Sequence, residues 1–268
     1  MYLADYHTHS TCSDDGHHTM TEMAAAAAAA GLDEICLTDH VDVVDWQGNQ
    51  VTEHSWQKAV EQHEAARAAL GGTIKIQLGV ELGQATEDFA RANRFLDAAP
   101  PLDFIIGSLH NLSWDYGRRD FCTLEGVDDA FARSAIAAYL AEMLELCKWG
   151  RFSVIGHLTL PLRYLNEHLG MHVTFDGFED ILAEIFRTII PKGIGIELNT
   201  NRGHTPLPDR EILQLYRELG GELITLGSDA HTPEFVGCVI RERQQLLRDC
   251  GFRYFATYEQ LKPVYHKL

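Results

Sequence analysis

Two histidines one residue apart open the chemistry of this chain, in the stretch Asp5-Tyr6-His7-Thr8-His9-Ser10 that follows a short apolar start. In an extended strand residues i and i+2 share a face, so His7 and His9 can turn two imidazoles toward one ion while Tyr6 and Thr8 point away. Alone, such a pair is as readily two surface histidines. Later stretches supply what is missing: Asp15 in a polar loop, His40, Glu81, His110, His157, and Asp229 with His231. With His7 and His9 these make nine N and O donors. That is too many for one ion. It suits two or three hydrolytic divalent ions, with Glu81 or a water bridging a pair about 3.5–4 Å apart, an arrangement that yields a metal-bridging hydroxide. Imidazole and carboxylate without thiolate leave Mn, Fe and Zn all open.

The elements that must position these donors alternate regularly. After the opening strand, the capping-box pattern Thr19-Met20-Thr21-Glu22 starts a helix through the alanine run, which Gly31 stops. Glu34–Thr38 reads as a strand ending in Asp39-His40, and a helix follows over 53–70. Thr73–Val80 is a strand ending in Glu81, with a helix over 86–98 stopped by Pro100-Pro101. Phe104–Ile106 leads to His110 and, past an aromatic and basic loop (114–119), to a helix over 128–149. Ser153–Gly156 leads to His157, a loop over 158–173 carrying Arg163, and a helix whose apolar residues from Phe178 to Ile189 fall at helical spacing. Gly193–Leu198 leads to Asn199 and Arg202, then a helix over 208–219. Glu222–Leu226 leads to Asp229 and His231, then a last helix over 234–249 and a terminal tail over 252–268.

This gives seven β-then-α units, six of whose strands end in metal-ligand residue types. Alternation demands a parallel sheet, whose functional residues gather at the C-terminal strand ends. An open sheet would use one or two switch points, so donors spread over nearly every strand end favour closure into a (β/α)7 barrel. The Gly-rich pieces Gly71-Gly72 and Gly220-Gly221 precede strands rather than open helices and are ordinary turns, not phosphate loops.

Composition narrows the function classes. At 268 residues, 46% hydrophobic and 23% charged, the chain is expected to fold throughout as one barrel domain, 1–268. A formal charge of −17 disfavours nucleic acid and anionic lipid as partners and favours cation uptake. Six cysteines at irregular spacing with no CxxC read as reduced thiols. No secretory leader or membrane-length apolar run is apparent, so the expected location is cytoplasmic. The oligomeric state is not legible.

The pieces His7-Thr8-His9, Thr38-Asp39-His40, Glu81, Ser108-Leu109-His110, Gly156-His157 and Ser228-Asp229-Ala230-His231 resemble the motifs of the polymerase and histidinol phosphatase (PHP) superfamily. Ile106–His110, Val154–Leu158 through Arg163-Tyr164, Glu197–Thr200 and Ser228–Glu234 are similar to its stand-alone histidinol-phosphate phosphatases. The resemblance covers nearly the whole chain and implies a distorted TIM-like barrel with a trinuclear metal centre. It implies that His7, His9, Glu81 and Asp229 hold the first ion, Glu81, His110 and His157 the second, and Asp15, His40 and His231 the third. Asp14 is the alternative to Asp15.

A phosphate monoester fits these donors from chemistry as well, because divalent ions can hold phosphoryl oxygens and deliver hydroxide in line with the leaving alkoxide. Arg163 and Arg202, on the donor-bearing rim, can fork a phosphate, and Asn199 stands with them as a substrate contact; the bland alternative is surface arginines balancing an acidic protein. Asp229 and His231 can relay a proton to the leaving oxygen. The expected function is hydrolysis of L-histidinol phosphate in histidine biosynthesis. The alternatives are a PHP phosphoesterase for another phosphomonoester or a cyclic or nucleotide diester, and a non-catalytic metal-binding barrel. A polymerase-linked nuclease is disfavoured, since no basic stripe is present.

Overall fold

A computed structural model describes residues 1–268. Its central sheet is parallel, in the order β1 (Ala4–Asp5), β2 (Glu34–Leu37), β4 (Lys75–Gly83), β5 (Phe104–Ser108), β6 (Val154–Ile155), β7 (Gly195–Asn199) and β8 (Ile224–Gly227). Short strand β3 (His40–Asp42) pairs with the far half of β4, while β2 pairs with its near half. Strands β2 and β3 are thus one stave with a break at Thr38-Asp39. The break frees the Asp39 carboxylate to accept from Ser10 N (2.6 Å) and Ser13 Oγ (2.9 Å), which fixes the loop carrying Asp15.

Closure comes from the residues just past β1. Tyr6 N donates to Leu226 O (2.9 Å), Asp229 N to His7 O (2.8 Å) and His9 N to Ala230 O (2.8 Å). The first and last staves therefore join through the backbone that carries His7, His9 and Asp229. The result is a distorted (β/α) barrel, as the alternation predicts.

The helices between staves bury apolar faces against this sheet. They are α1 (Met20–Ala29), α2 (Gln57–Leu70), α3 (Phe89–Asp97), α4 (Asp129–Trp149), the three-residue α5 (Leu160–Leu162), α6 (Glu179–Ile189), α7 (Arg210–Glu218) and α8 (Ile240–Asp249). The capping box of α1 forms, Glu22 N donating to Thr19 Oγ1 and Thr19 N to Glu22 Oε2. Among the helices, two segments differ from expectation. The expected loop over 158–173 contains α5 running into a π-turn at Arg163–His168, which holds Arg163 inward. Helix α8 begins after a separate turn at Pro233–Phe235, because Gly237, at φ 72°, breaks the chain there and donates its N–H to Asp5 Oδ2 (2.8 Å).

The expected tail is instead a hairpin, β9 (Tyr254–Glu259) and β10 (Lys262–Lys267), that seals the floor of the barrel. Phe255, Ala256, Thr257 and Tyr258 are buried, and Tyr258 N donates to Tyr6 Oη (2.8 Å) while Gln77 Nε2 donates to Tyr258 O (2.7 Å). No helix is long and apolar enough to cross a membrane.

Candidate metal centre

Glu81, on the C-terminal half of β4, is the point on which the strand ends converge. Its Oε1 lies 2.8 Å from His157 Nε2 and 3.0 Å from His110 Nε2. Its Oε2 lies 3.1 Å from both His7 Nε2 and His40 Nδ1, and 3.5 Å from His9 Nε2. Each oxygen thus faces a different group of histidines, the geometry a bridging carboxylate requires. Asp229 Oδ1 is 3.5 Å from His9 Nε2 and 3.7 Å from His7 Nε2. At the outer rim, Asp15 Oδ2 is 2.9 Å from His231 Nε2 and 3.8 Å from His40 Nε2, so Asp15 rather than Asp14 meets these rings. All nine sequence-derived donors therefore share one cluster, and all but the buried His7 and His9 line a cavity of about 770 Å³.

The electrostatics follow from burial opposed by proximity. Desolvation alone would raise Glu81, but His7, His110 and His40 hold it well below the ordinary carboxylate range. Desolvation of Asp229 is likewise overcome, chiefly by Arg163 and His7. Burial would depress His7, yet Glu197, Glu81 and Asp229 lift it well above its usual value. His110 rises to about 10 because Glu81 and Asp42 outweigh its burial. His9 is pushed well down by burial and by His231 and His40. His7 Nε2, His9 Nε2 and Glu81 Oε2 are buried without a hydrogen-bond partner. Buried polar atoms are seldom left unpaired. A convergent, mutually crowded set of N and O donors of this kind fits divalent cations.

Residues behind the donors hold them. Glu197 sits inside the apolar strand β7; its Oε1 is 2.7 Å from His7 Nδ1 and its Oε2 accepts from His157 N (2.7 Å). Gly227 makes room for this contact, since a Cβ there would lie 2.2 Å from Glu197 Oε1 and 2.4 Å from His7 Cβ. Asp5 accepts from Ser228 N (2.8 Å) and so anchors the turn bearing Asp229, which sits at φ 60°. Left-handed backbone in a non-glycine residue is uncommon and concentrates at functional sites. From sequence alone neither Glu197 nor Asp5 carries a role. A carboxylate within an otherwise apolar parallel strand was the available signal. Asp42, also unassigned from sequence, joins the cluster beside His40 and His110.

The three substrate-side candidates separate. Arg163 is largely buried and lines the cavity: Nη1 donates to Asp229 Oδ2 (2.8 Å), Nε to Asn201 Oδ1 (2.8 Å) and Nη2 to Asn199 Oδ1 (3.3 Å). Arg202 lines the same cavity from an exposed turn, its guanidinium 5.5 Å from the Phe235 ring centroid. Asn199 is buried behind Arg163, bonded to it and to Glu197, and is not part of the cavity wall. The loop over 114–119 is packed sideways, Arg118 stacking on Trp114 and pairing with Glu87.

Histidine and carboxylate donors gathered at the C-terminal ends of parallel barrel strands define a barrel-type centre for divalent metals. Residues 5–201 match the PHP domain, and the chain belongs to that family. It is 28% identical over 273 residues to the histidinol-phosphatase of Lactococcus lactis subsp. lactis, across 98% of this chain and 96% of that protein. It is 25% identical over 258 residues to a probable histidinol-phosphatase of Thermotoga maritima, across 95% of each. The fold is similar to the crystal structure of the Lactococcus lactis histidinol phosphate phosphatase complexed with zinc, L-histidinol and phosphate, with a TM-score of 0.80, 25% identity and 98% of each chain covered.

Proposed function

We propose that this chain is a metal-dependent phosphatase that hydrolyses L-histidinol phosphate to L-histidinol and phosphate, a step of histidine biosynthesis. The observation that carries the reading is Glu81, whose two oxygens face separate histidine groups, with Arg163 on the wall of the same cavity. Near-complete alignment with histidinol-phosphatases supports the substrate. Three ions of Mn, Fe or Zn would be held by His7, His9, Glu81 and Asp229, by Glu81, His110 and His157, and by Asp15, His40 and His231. Bound there, divalent cations neutralise phosphoryl charge and make water nucleophilic at neutral pH.

The chain's own residues do the rest. Arg163 has guanidinium N–H groups beyond those given to Asp229, Asn201 and Asn199, and these bind phosphoryl oxygens in the cavity. Arg202 adds an exposed second cation. Asn199 acts through Arg163, holding its fork, rather than by touching substrate. Of the pair expected to relay a proton to the leaving alkoxide, His231 is the proton carrier, its Nδ1 3.0 Å from the Asp229 carbonyl, while the ionised Asp229 carboxylate orients Arg163. The chain works as one unit, a reading supported by the hairpin that closes the barrel floor. Six unpaired cysteines support a reducing, cytoplasmic setting.

The test is a panel of histidinol phosphate, sugar phosphates, nucleotides and cyclic nucleotides, assayed with added Mn or Zn. Histidinol phosphate should give the highest kcat/KM. A higher value on another ester would move the reading to that substrate, and no turnover of any would leave a binding protein.

A further inference from the structure

A second carboxylate stands near the Nδ1 atoms of two of the clustered histidines. His110 turns Nε2 to Glu81 (3.0 Å) and Nδ1 to Asp42 Oδ1 (4.0 Å). His40 turns Nε2 to Asp15 (3.8 Å), and its Nδ1 lies 4.0 Å from Asp42 Oδ2 as well as 3.1 Å from Glu81. The two oxygens of Asp42 thus address two different rings. Asp42 Oδ1 is buried without a hydrogen-bond partner.

The strand register explains how it gets there. His40 and Asp42 are two apart on β3 and share a face, and they stand opposite Glu81 and Gly83 of β4. A Cβ at Gly83 would lie 1.8 Å from Asp42 Oδ1 and 3.4 Å from His110 Nδ1. The carboxylate therefore occupies space that any side chain at 83 would fill. Glu197 already shows the arrangement at hydrogen-bond distance on His7 Nδ1. A histidine that binds metal through one nitrogen carries its proton on the other, and that N–H is ordinarily given to a carboxylate or carbonyl that fixes the ring. Each 4.0 Å gap lies about 1 Å beyond hydrogen-bond length, the movement that metal-bound rings would have to make.

We propose that Asp42 is a positioning residue that orients both His40 and His110 through their Nδ1 atoms, so that one carboxylate couples two of the ion sites. The inference rests on the metal reading above, and its test separates the two. Wild type, Asp42→Asn and Asp42→Ala would be stripped of metal, then titrated with Zn2+ against a chromophoric chelator, with apo-protein melting recorded alongside. Asp42→Ala should weaken two binding steps by about 10–100-fold while leaving one unchanged. Asp42→Asn, near-isosteric and keeping one acceptor oxygen, should lose less, and both apo proteins should melt as wild type does. Gly83→Ala, which displaces the intact carboxylate, should weaken the same two steps. Wild-type affinities at every step in Asp42→Ala would overturn the proposal. So would uniform weakening accompanied by a lowered apo melting temperature, the mark of a merely structural residue. Should wild type itself bind no zinc, the metal reading fails and this inference with it.

Discussion

Replacing Arg163 with alanine tests whether the cavity is built for phosphate rather than for hydrolysis in general. The sequence offers Arg163 and Arg202 as equals, but the structure gives them different weights. Arg163 is 12% exposed and fixed by Asp229, Asn201 and Asn199, so its remaining N–H groups meet a phosphoryl oxygen with little loss of rotamer freedom. One charge-assisted hydrogen bond is worth about 1.5–3 kcal/mol, which at 1.4 kcal/mol per decade is roughly 10- to 150-fold in kcat/KM. The same change strips buried Asp229 of its countercharge, so the loss should fall at or above the upper end of that range. Arg202 is exposed, and a solvated pair contributes only about 0.2–1 kcal/mol, or up to roughly five-fold. Arg163→Lys keeps the charge without the planar fork and should recover part of the loss. The assay is steady-state kcat/KM on histidinol phosphate at saturating metal, with bound metal counted by elemental analysis. Unchanged kcat/KM in Arg163→Ala with metal intact, or a larger loss in Arg202→Ala than in Arg163→Ala, would refute the reasoning.

Metal-supplemented protein should carry two or more divalent ions per chain, and chelation should abolish turnover until metal is restored; elemental analysis showing one ion or none would sink the multinuclear reading. Glu81→Gln should lose metal and activity together, because Gln keeps one acceptor oxygen but not the charge that two histidine groups share; near-normal turnover would remove the bridge. Glu142 on α4 is driven up to about 7, by burial first and by neighbouring Glu87 next, against the pull of Arg118. Its folded-state value is raised, so the stability it lends is full below about pH 4.5 and lost as pH rises through 7, by roughly 3 kcal/mol at most. Melting curves at pH 5 and pH 8 should therefore converge in Glu142→Gln relative to wild type, and an unchanged pH dependence would count against the assignment.

What the sequence reveals depends on whether the signal is local. The alternation of βα units and the donors at strand ends are periodic and local, and they carry the barrel. The hairpin at 254–267 is hidden because its turn, Gln260-Leu261, takes two positive φ angles, 49° and 62°, without the Asn or Gly that normally advertises such a turn. The π-turn at Arg163–His168 is hidden because Pro161 reads as a loop signal. Glu197, Asp5 and Asp42 are hidden for a different reason: their roles lie in contacts with residues far along the chain, or on a neighbouring stave, that only the folded register creates. Arg163 meets both Asp229 and Asn199 for the same reason, and no spacing in the sequence says which of Arg163 and Asn199 faces substrate.

Barrel closure and assembly of the centre are one structural event. The bonds from Asp229 N to His7 O and from His9 N to Ala230 O join the last stave to the first, and they also bring three donors of one ion group together. Asp5 reinforces that seam from behind, accepting from Ser228 N and Gly237 N, 2.8 Å each, with a carboxyl that burial raises to about 6. An open barrel leaves His7 and His9 on one edge and Asp229 on the other, so this donor group does not exist until the seam forms. Ions that bind only the closed form must stabilise it by mass action. The donors that the seam brings together are thereby also what ties the fold to divalent cations.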